Sequence, residues 1–368
     1  PSEMCIRDRY KLTQYKKLLW REYMKKKNIQ RVSALIILAL IIFLFRPAYT
    51  PSINGSKSIS KLVSIRVGDQ NQTLLIRGKD KDKPIILFLH GGPGLAQICY
   101  ARKYQSKLED DFVVVNWDQR GSGKSYSFFM DKDSLTKNQI VEDAEEIIEY
   151  LCKTYGKEKI ILVGHSWGTE LGMDIIKKDS SRISSYIGVG QVVDHAEGER
   201  ISYEYAMDLA KQNQDSSALN DLENMGSPPY KDVINSTLKQ ENIIKKYSPF
   251  KHDVNVTNDI IKGSLLSAES NGLDAIKYAF GNKLSAEKLW GTNSEFNLFD
   301  EVQKVDLPVY FCAGRYDYTT PSVLVKKYYE TLEAPHKEFI WFENSAHFPQ
   351  YTENDKFCDL LLNISNKV

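Results

Sequence analysis

A serine hydroxyl becomes a nucleophile when an imidazole takes its proton and a carboxylate fixes the imidazole's tautomer. This 368-residue chain offers one well-placed candidate for each part. The serine is Ser166, in the stretch IILVGHSWGTELG from Ile160 to Gly172, where an apolar strand-like run meets a Gly-x-Ser-x-Gly turn and passes at once into a helix-like segment. Such a reversal leaves no room for side chains at Gly164 and Gly168 and holds the serine in a strained, exposed conformation. The five-residue pattern alone arises by chance about once in ten chains of this length, so the strand–turn–helix context carries the signal. The acid is Asp317, in the loop RYDYTTP after the apolar run LPVYFCAG, and the base is His347, in SAHFPQ after KEFIWFEN. Ser166, Asp317 and His347 then fall at one edge of a sheet, in the order nucleophile, acid, histidine. Asp317 has a competing role as N-cap of a helix starting near Ser322, but Thr319, Thr320 and Ser322 lie closer to that helix, and Asp300 and Asp306 sit on the wrong side of the strand. His165 points away from the serine if the turn is tight, and is assigned to packing or to the shape of a substrate pocket.

The anion formed when a serine attacks a carbonyl needs donors already in place, each worth about 3 kcal/mol in the transition state. One donor is the amide after the nucleophile, Trp167. The other comes from the loop HGGPG, His90 to Gly94, where Gly92 is the first choice and Gly91 the alternative. The glycine-rich DQRGSGKS, Asp118 to Ser125, lacks the spacing of a phosphate-binding P-loop. It reads instead as a place where buried pairing of Asp118 or Arg120 braces the oxyanion loop.

Short apolar runs at Ile85–Leu89, Phe112–Trp117, Ile160–Val163, Tyr186–Val189, Val309–Phe311 and Phe339–Phe342 are what strands buried on both faces of a parallel sheet look like. An alternating pair, Leu62–Val67 and Thr73–Ile76 joined by GDQNQ, reads as an edge hairpin. Between the runs lie helical patterns. The clearest is Lys137–Tyr155, with Ile140, Ala144, Ile147, Ile148, Leu151 and Cys152 on one stripe. Alternation of strand and helix predicts a doubly wound, mostly parallel α/β sheet. It lapses over residues 191–305, a polar, helix-leaning stretch read as an inserted helical cap, so the core is expected in two parts, 62–190 and 306–368.

Residues 1–31 carry a net charge of +7 and the other 337 a net −6, so the overall +1 hides a basic front. Nothing in the main body suggests a nucleic-acid surface. The run VSALIILALIIFLF, Val32–Phe45, follows Lys25, Lys26, Lys27 and Arg31. Its 14 residues make about 21 Å of helix against a hydrocarbon core of about 30 Å. Arg31 and Arg46 could snorkel to the two interfaces and let a short span suffice. A transmembrane anchor and a cleaved signal segment are both open. Either places the remainder outside the cytoplasm, membrane-anchored or secreted. Residues 46–61, rich in Ser, Gly, Asn and Lys, read as a linker. The opening PSEMCIRDR reads as a gene-calling artefact, and Met24 before three lysines as a natural start. Five scattered cysteines form neither a zinc site nor a disulfide framework.

HGGPG, then DQRGSGKS, then GHSWG resemble, in kind and order, the proline iminopeptidase branch of the α/β-hydrolases over roughly Leu62 to the C-terminus. The resemblance implies a helical cap whose acidic residues hold a substrate's free amino group, and it supports Ser166, Asp317 and His347 as the triad. Two departures argue against narrow proline specificity. His165 stands where relatives active on prolyl substrates read glycine, and the cap signature Trp-x-x-Trp-Glu is reduced to ISYE, in which Glu204 keeps the acid. Glu204 is therefore a candidate amine anchor, with a solvated helix-face glutamate as the other reading. The expected activity is that of a serine aminopeptidase acting on short peptides. An esterase or lipase-like hydrolase with the same triad is the alternative, and a catalytically silent binding module the third. A small peptide or ester is the expected partner, with membrane contact through the N-terminal segment. A serine mechanism of this kind needs no metal or organic cofactor.

Overall fold

The computed structural model describes residues 3–247, 253–290 and 295–367. Eight strands form one sheet: β1 (Ile59–Val67), β2 (Gln70–Gly78), β3 (Ile85–Leu89), β4 (Val113–Asp118), β5 (Ile160–His165), β6 (Ile183–Val189), β7 (Val309–Gly314) and β8 (Lys337–Phe342). Their order across the sheet is β1-β2-β4-β3-β5-β6-β7-β8. From β4 to β8 every neighbour is parallel, while β2 runs antiparallel to both β1 and β4.

The expected hairpin is longer than its alternating pattern suggested, and of its two strands only β1 lies at an edge of the sheet. The turn is just Gly68-Asp69, with both residues at positive φ, as a two-residue hairpin turn requires. Gln70, Asn71 and Gln72, read from their polarity as turn, belong to β2. Gln72 is fully buried, donating to Asp143 Oδ2 over 2.7 Å and accepting from Trp117 Nε1 over 2.8 Å. Polar residues can enter a buried strand when each polar atom has such a partner.

Helices cover both faces. On one lie α3 (Lys137–Tyr155), α4 (Trp167–Lys178) and α11 (Ser322–Thr331), packed on Leu87, Val115, Leu162 and Phe311. On the other, α13 (Asn354–Ser365) packs on the alternate residues Phe88, Val114, Val163 and Tyr310, as the two-residue period of a strand demands. Helix α3 has the bounds its apolar stripe predicted. Thr136 Oγ1 caps its start by accepting from the Gln139 amide, and Gly156 ends it in the left-handed region. Two shorter helices, α2 (Ile98–Gln105) and α12 (Pro349–Thr352), follow β3 and β8, and α10 (Leu298–Glu301) precedes β7.

Between β6 and α10 stand α5 (His195–Gln212), α6 (Ser216–Met225), α7 (Val233–Tyr247), α8 (Val256–Leu266) and α9 (Gly272–Leu289). They reach over the loops at the carboxyl ends of the strands. Tyr205 of α5 stacks on Tyr318 with ring centroids 3.4 Å apart. Asp253 accepts from the Ala346 amide over 3.2 Å. A Cβ placed on Gly94 would come within 2.6 Å of Ser285 on α9.

The N-terminal segment is one helix, α1 (Glu3–Phe45), with large apolar residues from Val32 to Phe45 exposed on all sides. The stretch after it is not a free linker. Arg77 donates to Thr50 Oγ1, to Ser60 Oγ and to the Pro51 carbonyl, while Glu109 holds its other edge. Arg46 too has protein partners, its guanidinium donating to the carbonyls of Ser267 and Ser270. Nothing in the polar composition of that stretch marks these partners, of which the two carbonyls held by Arg46 lie more than 200 residues on.

Candidate active site

The strand–turn–helix at Ser166 is built by contact between backbones. A Cβ on Gly164 would lie 2.6 Å from the Gly168 carbonyl oxygen, and one on Gly168 would lie 2.4 Å from that of Leu89, so neither position admits a side chain. Ser166 itself sits at φ 52°, ψ −127°, a conformation costly for a residue with a Cβ. Its own amide is tied to the Val189 carbonyl over 2.9 Å.

Two further strand ends bring the partners. Ser166 Oγ donates to His347 Nε2 over 2.9 Å, and His347 Nδ1 donates to Asp317 Oδ2 over 2.9 Å. The other Asp317 oxygen accepts from the amides of Thr319 and Thr320, and Thr320 Oγ1 donates to Oδ2 over 2.8 Å. Asp317 thus braces its own loop with one oxygen and the imidazole with the other. Helix α11 has no side-chain cap at Pro321. Burial works against a charged Asp317, but the adjacent His347 and the bonds from Thr320 outweigh it and hold the carboxyl below the ordinary range. For His347, burial opposes the imidazolium, yet Asp317, with added negative charge from Glu241 and Asp253, raises it above its ordinary 6.5.

His165 is turned away from the serine, and its ring does more than fill space. Nε2 donates to the His347 carbonyl over 2.9 Å, and the ring lies against both His347 and Phe348. Burial, reinforced by the neighbouring His347, pushes its pKa down to about 3, so this second imidazole is neutral at physiological pH and serves as a fixed donor.

The Trp167 amide is the first of α4 and so has no carbonyl one turn ahead. Across from it, a Cβ on Gly91 would lie 3.0 Å from Ser166 Cβ, which places the His90–Gly94 loop directly against the serine. Among the described residues, neither the Trp167 nor the Gly92 amide donates to a protein acceptor. The bracing of this loop corrects the expectation for Asp118 and Arg120. Arg120 forms a buried two-pronged pair with Asp143 of α3, 2.7 and 2.8 Å, and also bonds the Gly68 carbonyl, so it locks the β1–β2 turn. Asp118 accepts from the amides of Ile98 and Lys124, with burial raising its pKa to about 6. Gln119, between them, holds the His90–Gly94 loop. Its Nε2 donates to the His90 carbonyl over 3.0 Å, and its amide to His90 Nε2 over 3.2 Å.

Glu204 lies on the exposed face of α5, paired with Arg200 four residues earlier. Besides Asp317, the acids whose charge reaches His347 are Glu241 on α7 and Asp253. Asp253 accepts from the Ala346 amide and from Thr352 Oγ1, and Glu241 accepts from Lys245. Neither has a motif around it, so only the packing of the inserted helices brings them to notice.

Residues 84–354 match the model of the α/β-hydrolase fold family. Among curated proteins the chain is 33% identical over 306 residues to "Probable aminopeptidase YbaC" of Bacillus subtilis, covering 83% of this chain and 96% of that protein. It is 26% identical to a proline iminopeptidase of Heyndrickxia coagulans, over 77% of this chain and 91% of the relative. The crystal structure of a proline iminopeptidase from Mycobacterium smegmatis superposes with a TM-score of 0.61 at 19% identity, covering 83% of this chain and 98% of that one, a likeness of fold. With its sheet order, its glycine-framed serine turn and a family match across most of its length, the chain belongs to the α/β-hydrolase family.

Proposed function

We propose that the protein is a serine hydrolase, an aminopeptidase that releases N-terminal residues from short peptides through an acyl-enzyme. The observation that carries this reading is the continuous relay from Ser166 Oγ through His347 to Asp317, with 2.9 Å at each step. In this mechanism His347 Nε2 takes the Ser166 proton as Oγ attacks the scissile carbonyl, and the amides of Trp167 and Gly92 hold the resulting oxyanion. Asp317 stabilises the imidazolium. His347 then passes the proton to the leaving amine, the C–N bond breaks, and water activated by the same imidazole hydrolyses the acyl ester to return Ser166.

The preference for a peptide with a free amino group over a simple ester rests on Glu241 and Asp253. Both add negative charge at His347, and Asp253 lies beside it, accepting from the Ala346 amide, which favours a substrate cation near the serine. The names of the relatives point to the same chemistry. In place of Glu204, held by Arg200 at the surface, these two are the proposed amine anchors. Helix α1 is proposed as a membrane anchor that leaves the hydrolase domain outside the cytoplasm, supported by its length and its unburied apolar face.

The test is an assay of purified full-length protein on aminoacyl amides, on the same amides acylated at nitrogen, and on short acyl esters. Hydrolysis that needs the free amino group is the expected result. Preference for the esters would defeat the aminopeptidase reading while leaving the hydrolase intact.

A further inference from the structure

Helix α1 ends on the inserted helices. A Cβ on Gly272, at the start of α9, would come 2.7 Å from the Phe43 ring. Asn271 Nδ2 donates to the Arg46 carbonyl over 3.0 Å, Arg46 holds the carbonyls of Ser267 and Ser270 at 2.8 and 2.7 Å, and the Tyr49 amide donates to the Ala268 carbonyl over 2.9 Å. The α8–α9 loop is therefore fastened to the point where the apolar helix stops.

On both sides of that loop the surface stays apolar. Helix α8 exposes Ile261, Leu265 and Leu266, the last 75% accessible, while Gly263 and Ser264 pack inward on Cys99. Helix α9 exposes Ile276 and Phe280, which continue the i, i+4 row that begins at Gly272 under the Phe43 ring. Phe280 meets Phe128, beside Phe129, which is 98% accessible. The charges are sorted accordingly. From α8 through α9 the acids Asp259, Glu269 and Asp274 are turned onto Lys103, Arg102 and Lys124, Lys262 faces solvent, and Lys283 pairs with the exposed Glu287.

From this continuity we propose that the α8–α9 face, with Phe128 and Phe129, seats in the surface of the bilayer that holds α1. The proposal rests on the reading of α1 as a retained anchor. Length supports it: Val32–Phe45 spans about 21 Å of a hydrocarbon core of about 30 Å, and an apolar face that dips about 5–10 Å below the headgroups supplies the difference. The outward Lys262 suits anionic headgroups. The seated helix α9 also backs the candidate oxyanion loop through Ser285.

The experiment uses the full chain with Cys5 replaced by serine, the other four cysteines being buried. An environment-sensitive fluorophore is attached to Leu266→Cys, to Phe280→Cys, or to Glu330→Cys on α11, and each protein is reconstituted in phosphatidylcholine–phosphatidylglycerol vesicles. The expected result is that protein floats with the vesicles and that labels at 266 and 280, but not at 330, shift to the blue and lose emission to quenchers fixed in the acyl chains. Flotation with all three labels equally wet would overturn the proposal alone, whereas failure to float would overturn the anchor reading and the proposal together. Shielding at 266 and 280 that grows with protein concentration in detergent would assign the face to a second copy, and would also overturn it.

Discussion

Two histidine–carboxylate pairs in this molecule have the same separation. His347 Nδ1 lies 2.9 Å from Asp317, and His195 Nε2 lies 2.9 Å from Glu170. In both, burial disfavours the imidazolium and the carboxylate overrides it, so both histidines are raised above the ordinary value. Their surroundings differ. His347 hangs from the loop after β8, and its other nitrogen meets a serine on a strained turn. His195 is the first residue of α5, and Glu170 lies in the first turn of α4, so this pair joins two helix ends behind the site. A paired imidazole is thus an ordinary packing device in this fold. It becomes a candidate catalyst where three strands end together and a backbone reversal pushes a hydroxyl against it.

The sharpest way to break the comparison is to remove what only one pair has. Ser166→Ala should reduce turnover by about 10⁴-fold or more with no loss of thermal stability, and Asp317→Asn should cost about 10³–10⁴-fold in kcat by favouring the wrong tautomer of His347. Activity measurements beside a melting curve check both. Substantial turnover in folded Ser166→Ala protein would make the His347 pair as structural as the other.

His165 offers a finer test, since it acts through His347. As a neutral donor to the His347 carbonyl it is a positioning residue, and His165→Ala should lower kcat by about 10- to 100-fold with KM nearly unchanged, the scale expected for a misplaced catalytic group. His165→Gln, which keeps a donor, should recover part of the loss. A fall in stability with kcat intact would mean that the ring only fills space.

How much of this was legible beforehand follows from the range of each interaction. The glycines around Ser166, the capped stripe of α3 and the apolar runs that end at Asp317 and His347 are local, and their side chains state their roles within a few residues. The length of the hairpin is not legible in the same way, because Gln72 looks like turn chemistry until Asp143 and Trp117 are brought to it from 71 and 45 residues away. The same holds for Arg120, whose partner sits on α3, for Gln119 as the brace of His90, and for Arg46, whose acceptors are 221 and 224 residues on. Glu204 was singled out by a motif, whereas Glu241 and Asp253 gain their influence from helix packing alone.

The two acids near His347 sharpen the contrast through pH. A base must be neutral to accept the serine proton, so activity should fall as pH drops through a His347 pKa that lies above 6.5. Glu241→Gln removes one of the charges that raise it. The acidic limb of kcat/KM should then move to lower pH by less than one unit, with a raised KM for substrates bearing a free amine and no change for N-acylated ones. An unmoved limb would remove Glu241 from the electrostatics of the site.

The smallest effect belongs to the second pair. His195→Gln should leave kcat unchanged and destabilise the fold by about 1.5–3 kcal/mol, the scale of a hydrogen bond to a charged group. The pH dependence fixes its sign. Because the folded pKa of His195 is raised, the stabilisation that depends on its charge is fully present below the unfolded histidine value and is lost as pH rises through the folded one. Denaturant melts should therefore show wild type and His195→Gln furthest apart in mild acid and converging toward alkaline pH, where only a neutral hydrogen bond separates them. A gap that stayed constant across that range would show that His195 is held by packing alone, and a fall in kcat would bring it into the machinery proposed for His347.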